Sequence, residues 1–153
     1  MVMIVAAVTV IVVLALPGYL WAMVRVPQNA RRQLASDMSW GIVVGLVNWI
    51  LTMSWGDSSQ YSPIQVAISG ALMVAWVVWC TWRWASILMR GVPATWGAIA
   101  GYAGGWSGMA MPSDVTGLWA VGLVFLIFGM TAGLSLVVLI VAVLKLLVAR
   151  ARQ

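Results

Sequence analysis

Residues 94–111, ATWGAIAGYAGGWSGMAM, decide how this chain is read. All eighteen are uncharged, and five are glycine: Gly97, Gly101, Gly104, Gly105 and Gly108. Such a composition suits a close-packed helix, a re-entrant loop or a loop outside the membrane, and hydropathy alone does not separate the three. About 18 to 20 apolar residues are needed to cross a hydrocarbon core of about 30 Å. If this stretch crosses, the chain has five spans; if it does not, the alternative is four.

The surrounding sequence fixes the solvent. The chain has 153 residues, of which 64% are hydrophobic and 7% charged, against about a quarter charged in ordinary soluble domains. An all-α integral membrane protein is therefore expected, as a single transmembrane domain over 1–153. Apolar runs at 2–24, 38–55, 64–82 and 118–144 accompany the glycine-rich run at 94–111. The first carries Pro17-Gly18 and reads as a kinked helix. No basic segment precedes it, so it is expected to be an uncleaved span rather than a signal peptide. The segment 25–37, RVPQNARRQLASD, reads as a polar loop, and 56–63, GDSSQYSP, as a turn-forming run.

Charge separates five spans from four. Eight basic residues face three Asp, for a net charge of +5. With five spans, Arg25, Arg31, Arg32, Arg83, Arg90, Lys145, Arg150 and Arg152 all fall on one side, which the positive-inside rule makes cytoplasmic. Asp57 and Asp114 fall on the other side, and Asp37 at a loop or helix end. Four spans strand the three tail cations outside. The expected topology is thus five helices, N-terminus outside and C-terminus cytoplasmic. Trp21, Trp40, Trp79, Trp82, Trp84 and Trp96 then lie near the inner boundary and Trp55, Trp106 and Trp119 near the outer, where amphipathic rings settle. Trp49 and Trp76 lie deeper.

Glycines at four-residue spacing let helices approach closely in lipid, where association depends on van der Waals contact. Gly97, Gly101 and Gly105 form a triple repeat; Gly41 and Gly45, and Gly129 and Gly133, form pairs. Packing within the chain is the first expectation for them, with contact to another copy or another protein behind it. Asn48 and Gln65 are the most polar side chains inside the spans. Their amides are costly against hydrocarbon, so hydrogen bonds between helices are expected.

The absent residues exclude chemistries. Without His or Glu, and with Cys80 alone, the chain offers no imidazole-bound haem, zinc or copper, no Ser-His-Asp triad, no internal disulfide and no iron–sulfur ligand set. No cofactor or metal is expected, although a bound lipid is compatible with the sequence. Cys80 reads as a small buried hydrophobe. Lys145 has no carboxylate nearby in sequence to serve as a Schiff-base counter-ion. The basic residues sit between apolar spans, so their partners are anionic headgroups rather than nucleic acid.

In size, span number and basic tail the chain resembles phage holins. In its lack of extramembrane mass it resembles accessory subunits of secretion, conjugation or energy-converting complexes. Both likenesses are of composition alone. The leading expectation is a non-catalytic subunit packing by its glycine faces against other integral membrane proteins or copies of itself, in a prokaryotic plasma membrane. The alternatives are a self-assembling pore, holin or channel, and a module that binds lipid, quinone or pigment where Trp49, Trp76 and Tyr102 converge.

Overall fold

The computed structural model describes residues 2–25, 27–55, 61–83 and 90–152, and their side chains except at 19, 21–25 and 29. Five helices make up the described chain: α1 (Val2–Arg25), α2 (Gln28–Thr52), α3 (Pro63–Arg83), α4 (Val92–Ser113) and α5 (Trp119–Ala151). No strand occurs among the described residues. Asp57 and Trp84 lie outside them, as do the side chains of Trp21 and Arg25.

Two boundaries differ from the sequence reading. Residues 28–37, taken as loop, are the first turns of α2. Pro27 precedes the helix with an extended ψ of 148°, and its carbonyl accepts the N–H groups of Ala30 and Arg31 at 3.0 and 3.2 Å. The residues that follow are mostly strong helix formers, and polarity does not oppose a helix whose end lies outside the hydrocarbon. Asp37 accordingly lies within α2 rather than in a loop or at a helix end. At the other end of the chain, α5 runs to Ala151, seven residues past the expected limit of 144.

The glycine-rich run is helical, and α4 is the centre of the bundle. From Pro93 to Gly105 every residue is buried except Trp96, which is half-buried. Its most extensive packing is against α2 and α1. A methyl group added at Gly41 or Gly45 of α2 would overlap the backbone carbonyl of Ala94 or Ala98, and one at Gly97 or Gly101 of α4 the carbonyl of Met38 or Ile42. The two backbones therefore touch directly, which only glycine permits. At Gly105 the neighbour is the Trp49 ring, 2.7 Å from where a Cβ would stand. Behind α4, Gly104 and Gly108 receive α1 at Ile11, Ala7 and Met3. The indole N–H of Trp96 donates to the carbonyl of Leu14 at 2.8 Å.

These pairings show the helix directions. Contacts 38–97 and 42–101 run in step, so α2 and α4 are parallel; contacts 7–104 and 3–108 run in opposition, so α1 is antiparallel to α4. Gly117, in a left-handed conformation at φ 74°, turns the chain from α4 into α5. Three helical segments, Ala30–Thr52, Pro63–Arg83 and Trp119–Ala151, are each long and apolar enough to cross a membrane. α4 is less apolar because its surface is glycine and small side chains, which suits a helix covered by protein.

Candidate functional site

The polar side chains gather at two levels of the bundle. Asn48 of α2 donates through Nδ2 to the carbonyl of Ser69 in α3 at 3.1 Å and to Ser69 Oγ at 3.3 Å. Ser69 Oγ in turn lies 3.1 Å from the Tyr102 hydroxyl of α4. The three residues are buried, so this chain of bonds ties three helices together away from water. Asn48 Oδ1 is buried without a hydrogen-bond partner among the described residues, and its backbone carbonyl accepts the Thr52 hydroxyl at 2.7 Å.

Ser69 and Tyr102 form part of the wall of an open groove of about 450 Å³ between α3 and α5. Gly70, Gly129 and Gly133 also line it, and a Cβ added at any of them would meet nothing within 4 Å. The pair Gly129 and Gly133 thus has the spacing of Gly41 and Gly45 but faces open space instead of a backbone. Trp49 and Tyr102 belong to one buried cluster against which Trp76 packs, but only Tyr102 lines this groove. Trp49 lies under Gly105, and Trp76 stacks on Trp79 with ring centroids 5.4 Å apart.

The second level lies near the start of α4. Arg90 donates from Nε to Asp37 Oδ2 at 2.7 Å and from Nη2 to Oδ1 at 3.0 Å, a forked pair in which the Asp37 side chain is only 7% exposed. Cys80, fully buried, lies within electrostatic reach of both. Next to Cys80, the carbonyl of Thr81 accepts the Lys145 ammonium at 3.0 Å, joining α5 to α3. Sequence reading puts Asp37 in a loop or at a helix end and Arg90 and Lys145 among the residues that set topology and meet headgroups. Their sequence separation concealed that both bind across the bundle.

Gln65 bonds at the start of α3 rather than deep in the bundle. Its Oε1 accepts the Ser62 N–H at 3.0 Å while Ser62 Oγ accepts the Ile64 N–H at 3.3 Å, a cap that starts α3. Its Nε2 reaches the Trp55 carbonyl at 3.1 Å, just beyond α2. The remaining basic positions occupy one end of the helices: Arg25 closes α1, Arg31 and Arg32 open α2, Arg83 closes α3, and Arg150 and Arg152 lie at the end of α5. The Arg83 guanidinium lies over the Trp79 ring, 5.6 Å from its centroid. Among the described residues there is no cluster of three metal-ligating side chains.

Comparison with protein-family models, with characterised proteins and with solved structures gives no match to this chain.

Proposed function

We propose that this chain is a non-catalytic integral membrane subunit that docks onto a larger membrane complex through the outward face of α5. On this reading all five helices cross the bilayer of a prokaryotic plasma membrane, the N-terminus outside and the C-terminus in the cytoplasm. Glycine contacts then hold α1, α2 and α4 together, leaving α5 for a partner.

The observation that supports it is the far end of α5. Lys145 is anchored level with Thr81, near the end of α3, yet α5 continues to Ala151, roughly 9 Å further at 1.5 Å per residue. Leu146 and Leu147 in this extension are 65% and 56% exposed. Below the hydrocarbon, at headgroup depth, such a patch is costly unless another protein covers it. The same face carries Phe128, Leu136, Ile140 and Val143, all exposed, back up the helix. A chain without His or Glu offers few groups for acid–base or metal chemistry, which suits assembly.

A photo-crosslinking side chain at Leu147 in living cells tests the reading. The expected result is one discrete adduct with a second membrane polypeptide, absent when the crosslinker replaces the exposed Val13 of α1. Adducts with lipid alone, or with this chain alone, would contradict it.

A further inference from the structure

The groove between α3 and α5 has a feature that packing does not use. Asn48 Nδ2 donates towards Ser69 Oγ, and Ser69 Oγ and the Tyr102 hydroxyl share one hydrogen bond. Two hydroxyls carry two protons, and the bond between them consumes one. Whichever way that bond points, one O–H has no acceptor among the described residues. Both side chains line the groove, yet Ser69 is 4% and Tyr102 8% exposed. A donor buried this far in an apolar wall is costly if nothing accepts from it.

Depth narrows what can accept. Ser69 lies six residues into α3, roughly 9 Å from its start, and Tyr102 is close to the middle of the 22 residues of α4. With the bundle spanning the bilayer, the donor sits well inside a hydrocarbon layer about 30 Å thick. Glycerolipid ester carbonyls stay at the edge of that layer. A ligand that reaches the donor must carry its acceptor into the hydrocarbon on an apolar body. The walls fit such a body: Phe125 and Met130 on α5, Met73 on α3, and three glycines that leave room for a flat ring.

We infer that this groove binds an isoprenoid quinone, one ring carbonyl accepting the free proton of the Ser69–Tyr102 pair and the tail lying along α5 towards the lipid. The site involves binding only and rests on the bilayer-spanning part of the proposed reading; Phe125 and Gly129 lie on the same stripe of α5 as Leu136 and Leu147, so the test uses the chain without a partner.

The test uses the full chain alone, in nanodiscs of phosphatidylcholine, titrated with a short-chain ubiquinone and followed by tryptophan quenching, with a photoreactive azidoquinone to map the contact. Saturable binding is expected, with azidoquinone labelling on the peptides holding Met73 and Phe125. The double variant Ser69→Ala, Tyr102→Phe, which removes both hydroxyls, should weaken binding about tenfold, the effect of one lost hydrogen bond. Gly133→Leu, which fills open space, should abolish binding while leaving the melting temperature unchanged. Non-saturable quenching, labelling spread evenly over the lipid-facing surface of α1, or unchanged affinity in either variant would overturn the assignment. So would binding that phosphatidylglycerol displaces, since the groove would then hold a glycerolipid.

Discussion

Asp37 and Arg90 face each other across the α2–α4 contact in a two-pronged ion pair, with bonds of 2.7 and 3.0 Å. The carboxylate is almost wholly buried while the guanidinium is partly exposed. The pair closes the end of the bundle beyond the glycine contact, where Gly97 and Gly41 already bring the two backbones together. Breaking such a pair is costly chiefly because the buried charge left behind has lost its partner. Arg90→Gln should therefore lower stability by about 2–3 kcal/mol, and the double variant Asp37→Asn, Arg90→Gln should recover part of the loss. Denaturation in mixed micelles checks this; additive losses would show that the two side chains are not coupled.

The glycines separate into two sets with opposite responses. Gly45→Ala and Gly101→Ala each force a methyl group into a facing backbone carbonyl and should cost more than about 3 kcal/mol or prevent folding. Gly70→Ala and Gly129→Ala meet open space and should be neutral or slightly stabilising, because alanine favours the helix by up to about 1 kcal/mol. Melting curves of the four variants decide it, and equal losses in both sets would contradict the packing described.

How much of this was legible in the sequence depends on range. Runs of apolar residues marked α1, α2, α3 and α5, since those signals are local, whereas the glycine-rich α4 was readable as a helix only through the distribution of charge along the whole chain. The start of α2 was hidden because Arg31, Arg32 and Asp37 look like loop residues by polarity, whereas helix formation there depends on Pro27 and on good helix formers after it. Gly41 and Gly129 begin identical four-residue spacings; only the fold places one against a backbone and the other beside a groove. The Asp37–Arg90 and Ser69–Tyr102 pairs join separate helices, and nothing near either residue in sequence names its partner. Gln65 carried a readable signal that went unused, the Ser62-x-x-Gln65 spacing of a helix cap.

That cap makes its own prediction. Ser62→Ala removes the acceptor for the Ile64 N–H and should destabilise by about 1 kcal/mol. Gln65→Ala frees the Ser62 N–H and the Trp55 carbonyl and should act in the same direction. Hydrogen exchange at the first turn of α3 should rise in both variants and remain unchanged in the middle of the helix.

Asp114 gives the bundle a dependence on acid. Its carboxylate accepts hydrogen bonds from the Thr116 hydroxyl, from the Thr116 N–H at 2.7 Å and from the Trp119 N–H that opens α5. Those bonds, the Thr116 hydroxyl foremost, hold its pKa below the usual carboxylate value. A depressed folded pKa means that the stabilisation is complete above the unfolded value of about 3.9 and is lost as pH falls through the folded one. The melting temperature of Asp114→Ala should lie below that of the native chain at pH 6, and the gap should close as the pH drops below about 3.9. A gap constant to pH 2 would exclude this role.

The central claim, that the chain is one subunit of a larger membrane assembly, is tested most directly by the native mass of the particle it forms. Gentle extraction from the source membrane followed by native mass spectrometry should give a stoichiometric complex with at least one other polypeptide. That complex should dissociate when Phe128 and Leu147 on the outward face of α5 are changed to Asn. A particle of 16.5 kDa, or of an integral multiple of it with no second chain, would contradict the account.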